Sequence, residues 1–162
     1  MLRWLIILLI MITTYMTSFA QPFESMTLEE VRTQFLLYVN QYRMEKGLEE
    51  LQQRYSFVAQ DHASKQATID QYLAHSGFNE RADQILALNK QADIADQALF
   101  GFYSVAENCC SFPVCSDPAK KAFEQFLSSF SHRHNLLKRW QYTAIGIDQG
   151  ASGIFYFCQI FF

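Results

Sequence analysis

The stretch that decides the fold is residues 154–162, IFYFCQIFF, at the end of the chain. Successive side chains of a strand point to opposite faces, and here both faces are apolar except at Gln159. A strand that is apolar on both sides is expected to be covered by other structure on both sides. The stretch therefore predicts an α/β protein with three layers, an α-β-α sandwich around a central sheet.

The residues before this stretch supply partners for it. Residues 143–148 (TAIGID) form a second candidate strand, and residues 149–153 (QGASG) contain the glycines that a hairpin turn needs. Residues 101–106 (GFYSVA) form a third candidate strand that runs directly into Glu107 and Asn108. We therefore expect a short, mainly antiparallel sheet, with polar side chains at the end of its third strand.

Helices are predicted between these strands and before them. Thr27 and Glu30 have the spacing of a capping box, and apolar residues then recur at helical spacing. Further helical patterns cover about residues 55–72 and 81–98, and Pro118 after an aspartate suits the start of a fourth helix. These helices would supply the two outer layers.

The N-terminus has the layout of a secretory signal. Arg3 precedes an apolar run, and the small residues Ser18 and Ala20 precede a candidate cleavage point. We expect residues 1–20 to be a signal peptide and residues 21–162 to be one domain, secreted, extracellular or periplasmic. An uncleaved segment acting as a membrane anchor is the alternative. No later segment is apolar enough to span a membrane.

Composition argues against a nucleic-acid partner. The chain has 13 Lys and Arg against 16 Asp and Glu, a formal net charge of −3. Binding to phosphate backbones needs a basic face, and this chain offers only a local basic cluster. We expect no nucleic acid among its partners. Because the last strand is predicted to be central rather than exposed, we also expect a monomer.

Four cysteines lie in the predicted domain: Cys109, Cys110, Cys115 and Cys158. An even number of cysteines in an exported chain indicates disulfides. A bridge between the adjacent Cys109 and Cys110 would be strained, which leaves two pairings. The preferred one joins Cys110 to Cys115 and Cys109 to Cys158. A thiolate metal cluster is the rival interpretation.

Seven segments together resemble one known family. They are VNQYRMEKGLEEL (39–51), VAQDHA (58–63), LAHSGF (73–78), AEN (106–108), SFSHRHNLL (129–137), IGI (145–147) and YFCQIF (156–161). In this order and spacing the chain resembles the bacterial branch of the CAP (SCP-like) superfamily, which includes cysteine-rich secretory proteins, antigen 5 and pathogenesis-related proteins.

The resemblance implies a central cleft lined by two histidines and one or two acids, which in some members holds a divalent metal. Matched by motif, His75 and His132 are the cleft histidines and Glu107 is the acid. Ser129 stands where eukaryotic relatives have a second acid. Gln159 matches a glutamine of the last strand that would form the floor of the cleft.

The residue types alone support the same chemistry. Two imidazoles and one carboxylate are the ligand set of an open zinc site, so His75, His132 and Glu107 are candidate ligands for one divalent metal, with zinc favoured. His132 is expected in the first turn of a helix, where the helix dipole favours a neutral ring. A hydrogen-bonded cluster without metal is the alternative.

Three other residues have expected supporting roles. His62 lies on the packed face of a helical pattern and is expected in the core or behind the site. His134, next to the second motif, is expected to be exposed. Arg81 could anchor the His75 loop through a contact with a carboxylate.

Two functions use this cleft. The first is a non-enzymatic extracellular binding module for a lipid, glycan, peptide or protein partner. The second is a metal-dependent hydrolase in which His75 and His132 hold the metal and Glu107 is a ligand or general base. No GxSxG nucleophile elbow occurs, which disfavours serine catalysis.

Overall fold

The computed structural model describes residues 26–92 and 104–162. The predicted signal peptide, residues 1–20, lies outside the described residues. The helices are α1 (Leu28–Glu45), α2 (Ser56–Ile69), α3 (Phe78–Ala92), α4 (Pro118–Ser128) and α5 (Phe130–Leu136). The strands are β1 (Gln52–Gln53), β2 (Ala106–Pro113), β3 (Tyr142–Gln149) and β4 (Ile154–Phe161).

The four strands form one sheet in the order β1-β3-β4-β2. β4 is antiparallel to both β3 and β2, whereas the short β1 runs parallel to β3. The sheet is therefore mainly antiparallel, as predicted, with the end of the chain as an inner strand. β2 lies at one edge, which leaves its outer side open to form one wall of a site.

Both faces of the sheet are covered by helices. The aromatic side chains of β4 pack with α1 and α4 on one face, where Phe35, Phe126 and Phe157 are buried. On the other face Ile160 packs with α2 and α3 through Val58 and Ile85. The predicted three-layer α-β-α sandwich is confirmed.

One glycine sets the distance between α2 and the sheet. A Cβ atom at Gly146 would lie 2.1 Å from the backbone oxygen of Ala59, closer than any real contact. Ala59 and Ala63 are fully buried on the same helix. Small residues therefore allow α2 to lie directly against β3.

The third strand differs from its prediction. Residues 104 and 105 are not in a strand, residues 101–103 lie outside the described residues, and β2 runs from Ala106 to Pro113. The strand pairs with β4 along its whole length, which places Glu107 within the strand rather than after it. Cys109 and Cys110 therefore lie within β2, where alternating side chains pack into the cores on the two faces of the sheet.

The helix predictions hold with shifted ends. The Thr27–Glu30 capping box is formed at the start of α1. α2 ends at Ile69, earlier than expected, because Asp70 adopts a left-handed conformation. α3 begins at Phe78, before the predicted start, and its predicted continuation to residue 98 lies outside the described residues.

A buried arginine holds α1 to the segment that follows α5. Arg43 is 1% exposed and donates hydrogen bonds to four backbone oxygens. The acceptors are the carbonyls of Glu49, Leu136, Lys138 and Trp140. Since Leu136 is the last residue of α5, Arg43 fixes the far end of the helix that carries His132.

All four cysteines are free thiols, so neither predicted disulfide is present. Cys109 lies directly opposite Cys158 in the register of β2 and β4, while Cys110 faces the other core. Directly opposed residues of a sheet have Cβ atoms ~4.5–5.5 Å apart, whereas a disulfide needs ~3.5–4.5 Å. Regular pairing therefore brings these two thiols together without joining them.

The helices of residues 26–92 and 104–162 are short or polar. None of them combines the length and the apolar character needed to cross a membrane.

Candidate functional site

Glu107 is the centre of a polar cluster at the start of β2. It is 5% exposed and faces α2 and α3. Arg81 donates from Nε to Oε2 at 2.7 Å and from Nη2 to Oε1 at 2.9 Å. The Nδ1 atom of His75 lies 3.0 Å from Oε1, and the thiol of Cys158 donates to Oε2 at 3.4 Å. Both carboxylate oxygens thus have two partners each.

These partners determine the charge of Glu107. Burial alone raises the pKa of this carboxyl, but the hydrogen bonds from His75 and Arg81 and the charge of Arg81 lower it to about 2. Glu107 is therefore ionised at neutral pH. A carboxylate this acidic accepts a proton poorly, which makes it a weak general base.

His75 lies in the loop between α2 and α3 and is half exposed. The preceding residue, Ala74, has φ +47°, so the backbone turns sharply just before the histidine. The carbonyl of Ala74 is bound by Nε2 of His62 at 2.8 Å. The hydrogen bond from His62 of α2 thus holds the loop in place, while one ring nitrogen of His75 contacts Glu107.

His62 supports both Arg81 and the His75 loop. Its Nδ1 lies 3.1 Å from Nη1 of Arg81, and its Nε2 contacts the carbonyl of Ala74. A guanidinium only donates and a carbonyl only accepts, so His62 is the neutral tautomer with its proton on Nε2. Burial, together with Arg81, lowers the pKa of His62. The prediction that His62 is a core residue behind the site is confirmed.

His132 approaches the cluster from the other side of the edge strand. It is the third residue of α5, in the first turn as predicted, and the Ser129 hydroxyl accepts from its backbone N–H. Its ring lies 6.1 Å from that of His75 and 5.2 Å from that of Phe126. The pKa of His132 is lowered, mainly by burial and to a smaller extent by the nearby His75. Burial and the expected helix dipole therefore both favour a neutral ring.

These elements enclose an open cleft of ≈ 360 Å³ between α3 and α5. Its lining combines aromatic and aliphatic groups with two imidazoles. The lining residues are His75, Phe78, Val105, Ala106, Glu107, Ser131, His132 and Asn135. The three residues predicted as the centre of the site therefore converge.

Two other predicted site residues lie elsewhere. Ser129 caps α5 and is absent from the cleft lining, where Ser131 takes its place. Gln159 lies opposite Asn108 in the register, on the face away from Glu107, and its amide donates to Thr143 Oγ1 at 3.2 Å. Gln159 thus belongs to the interior beside the site and does not line the cleft.

Two asparagines join α5 to β2 and were not predicted as site residues. Asn108 is fully buried and donates to the carbonyl of His132 at 3.0 Å. Asn135 donates to Asn108 Oδ1 at 3.0 Å and to the carbonyl of Glu107 at 3.4 Å. The sequence placed Asn108 after a strand, and no local pattern indicated that it joins α5 to β2.

The expected metal ligands do not all meet. Among the described residues, the ligand atoms that lie within 4.8 Å of one another belong to His75, Glu107 and Cys109. His132 is outside that group, and Arg81 is paired with Glu107. The set of two histidines and one acid that the resemblance implies therefore does not fit a metal in this arrangement.

Solved structures, rather than sequences, connect this architecture with known proteins. No protein-family model matches the chain, and no curated protein matches it. An extracellular protein containing an SCP domain from Bacillus anthracis matches with a TM-score of 0.58 and 18% identity over 84% of this chain. The chain has the fold of the SCP domain.

Two further structures agree with the SCP-like fold. A cysteine-rich secretory protein from Staphylococcus aureus matches 83% of this chain with a TM-score of 0.53 and 18% identity. An outer surface protein from Borrelia burgdorferi matches 88% of this chain and 97% of its own length, with a TM-score of 0.51 and 13% identity. This chain spans 43% of the Bacillus protein and 40% of the Staphylococcus protein, less than half of each. At these identities the likeness is one of fold.

Proposed function

We propose that this protein is an extracellular, non-enzymatic binding module whose ligand occupies the cleft between His75 and His132. The observation that carries the proposal is the state of Glu107. Its carboxylate is fully engaged by Arg81 and His75 and is ionised far below neutral pH. The acid of the cleft thus orients its neighbours instead of exchanging protons.

The cleft has the features of a recognition site. Phe78 and Val105 supply apolar surface, and the imidazoles of His75 and His132 with the amide of Asn135 supply hydrogen-bonding groups. Concave sites of this kind bind small molecules by apolar contact and use few polar groups for orientation. The fitting ligand is a lipid, glycan or peptide segment that combines an apolar part with a hydrogen-bonding group.

Export is part of the proposal. The solved proteins with this fold are described as extracellular, secretory or outer-surface proteins. The first 20 residues of this chain have the composition of a signal peptide.

A metal-dependent hydrolase is the competing function. If Glu107 were the general base, it would have to take a proton from a metal-bound water, which the low pKa of this carboxyl disfavours. If Glu107 were a ligand, the metal would compete with the two hydrogen bonds that Arg81 donates to its oxygens. Ser131, the serine of the cleft lining, has its hydroxyl 3.2 Å from that of Ser129. A hydroxyl neighbour does not activate a nucleophile as a basic side chain would.

Paired binding and turnover assays separate the two functions. The purified protein is screened against defined lipid vesicles, oligosaccharides and peptides, and then tested with a generic ester and a generic peptide substrate. We expect binding that falls at least ~10-fold in His132→Ala, which corresponds to one lost anchor of about 1.4 kcal/mol. His134→Ala, an exposed histidine two residues away on α5, is the matched control and should bind normally.

Turnover decides the outcome. We expect hydrolysis at the rate of buffer alone for the wild type and for both variants. Ester or peptide hydrolysis that the wild type catalyses and that His75→Ala and His132→Ala abolish would overturn the binding-module proposal.

A further inference from the structure

We propose that the cleft recognises its ligand through a neutral hydroxyl group, which donates to Nε2 of His75 and accepts from the ring of His132. This inference rests on the proposed binding function, because it names the chemical group that the module binds. It follows from the protons on the side chains that line the cleft and from the balance of charge beneath them.

The ring of His75 has one nitrogen left for a ligand. Its Nδ1 atom lies 3.0 Å from Oε1 of Glu107. A carboxylate only accepts hydrogen bonds, so Nδ1 carries a proton. In the neutral ring the other nitrogen, Nε2, then has a lone pair and no proton. Since His75 is half exposed and lines the cleft, this nitrogen offers an acceptor to a ligand.

The amide of Asn135 also presents an acceptor. Its Nδ2 atom donates to Oδ1 of Asn108 at 3.0 Å and to the carbonyl of Glu107 at 3.4 Å. Asn108 in turn donates to the carbonyl of His132, which fixes the orientation of both amides. The Nδ2 hydrogens of Asn135 are thus directed at protein acceptors, and Oδ1 is the polar atom that this side chain has left for a ligand. The cleft therefore selects a ligand that donates, which disfavours a carboxylate as the anchoring group.

The charges beneath the cleft disfavour a cationic donor. Arg81 donates to both oxygens of Glu107, and the two side chains are 11% and 1% exposed. One buried negative charge is thus already balanced by one positive charge. An ammonium group in the cleft would lose water without gaining an unpaired counter-charge, which is costly. A neutral donor avoids this cost.

A hydroxyl fits the space between the two imidazoles. The ring centroids of His75 and His132 lie 6.1 Å apart, so one ligand oxygen can reach both rings through hydrogen bonds of ~2.7–3.2 Å. Because burial lowers the pKa of His132, its ring is neutral above neutral pH and one nitrogen carries a proton. A hydroxyl donates and accepts at the same atom, whereas an amide nitrogen only donates. Phe78 and Val105 then contact the apolar part of the ligand.

A matched series of probes tests the anchoring group. The probes 1-hexanol, hexanoate, hexylammonium and hexanamide differ in their polar group and have chains of the same length. Each is titrated at pH 8 into the purified, ¹³C,¹⁵N-labelled protein, and binding is followed by the NMR signals of the His75 and His132 rings. We expect 1-hexanol to bind at least ~10-fold more tightly than the other three, since a mismatched group leaves polar atoms without partners. Hexyl glucoside and monohexanoylglycerol, which carry the hydroxyls of a sugar and of a lipid head group, then distinguish the two sources.

His75→Phe removes the acceptor and keeps an aromatic ring at a half-exposed position. The preference for 1-hexanol should be lost in this variant. His134→Phe, at an exposed position of α5 outside the cleft lining, is the matched control and should keep the preference. Circular dichroism checks that both variants are folded. In the wild type without probe, the ¹⁵N shifts should show the ring proton of His75 on Nδ1.

Four results would overturn the inference. The first is tightest binding by a probe other than 1-hexanol, and the second is no binding by any of the four. The third is a His75 ring with its proton on Nε2, or on both nitrogens, at pH 8. The fourth is a preference for 1-hexanol that survives His75→Phe. The proposed function fails separately, through hydrolysis that His75→Ala and His132→Ala abolish, whereas a cleft that prefers another polar group remains a binding module.

Discussion

Arg81 donates to both carboxylate oxygens of Glu107, with Nε 2.7 Å from Oε2 and Nη2 2.9 Å from Oε1. The side chains are 11% and 1% exposed, so the pair lies largely out of water. Ionic pairs of this kind orient a site through their fixed geometry. Glu107 also contacts the ring of His75. The Arg81–Glu107 pair therefore helps to set the position of a histidine that lines the cleft.

Removing the cation should strongly destabilise the protein. Arg81→Met leaves a buried carboxylate without its main partner, and breaking such pairs costs ~3–5 kcal/mol. Urea unfolding measures the loss as a fall in the midpoint. Lys90→Met, an exposed basic residue on the same helix, should change the free energy of unfolding by less than ~0.5 kcal/mol. Equal effects from the two variants would contradict a buried ion pair.

Acid should remove the contribution of Glu107. The pKa of Glu107 is lowered from 4.5 to about 2 in the folded state, so its stabilisation is complete above pH ~4.5 and is lost as the pH falls towards 2. The shift corresponds to a free energy of order 3 kcal/mol. Urea midpoints between pH 5 and pH 2.5 should fall more steeply for the wild type than for Glu107→Gln. Parallel slopes would show that Glu107 titrates normally.

His62 should add a second pH dependence at milder acidity. Its pKa is lowered from 6.5, mainly by burial, so the folded state resists its protonation. Its contribution is therefore complete above pH ~6.5 and decreases as the pH falls through that value. His62→Gln can donate to Ala74 and accept from Arg81, as the neutral ring does. It should remove part of the decrease in melting temperature between pH 7.5 and 5, whereas an unchanged profile would assign the decrease to other groups.

Gly146 should tolerate no side chain. A Cβ atom there would lie 2.1 Å from the carbonyl oxygen of Ala59, and backbone atoms cannot rotate away. Gly146→Ala should therefore push α2 from the sheet and cost at least ~1–3 kcal/mol, the usual range for overpacking. Thermal unfolding measures this cost. A variant as stable as the wild type would contradict the close packing of α2 on β3.

The three-layer α-β-α sandwich could be predicted because only one arrangement buries the apolar pattern of the last strand. Residues 154–162 are apolar on both faces, and only a covered inner strand satisfies both. The position of β2 was harder to predict, because Glu107 and Asn108 look like the end of a strand. Their burial depends on Arg81 and Asn135, which come from distant parts of the chain, and no local pattern records such partners.

The site could be predicted to a similar extent. His75, Glu107 and His132 converge as the resemblance implied, and Arg81 does contact a carboxylate. Cys109 was considered for a disulfide, with a metal cluster as the alternative, and its place behind Glu107 follows only from the register of β2 with β4. Register depends on long-range pairing, so sequence spacing alone could not reveal it.

The ionisation of Glu107 provides the most direct test of the proposed function. The side-chain carboxyl carbon, labelled with ¹³C and assigned by its loss in Glu107→Gln, is followed by NMR while the pH is lowered. The proposal predicts that this signal titrates near pH 2, or stays unchanged until acid unfolds the protein. A titration midpoint at or above the ordinary value of 4.5 would show a carboxyl free to exchange protons, and would contradict a non-enzymatic cleft organised by Arg81.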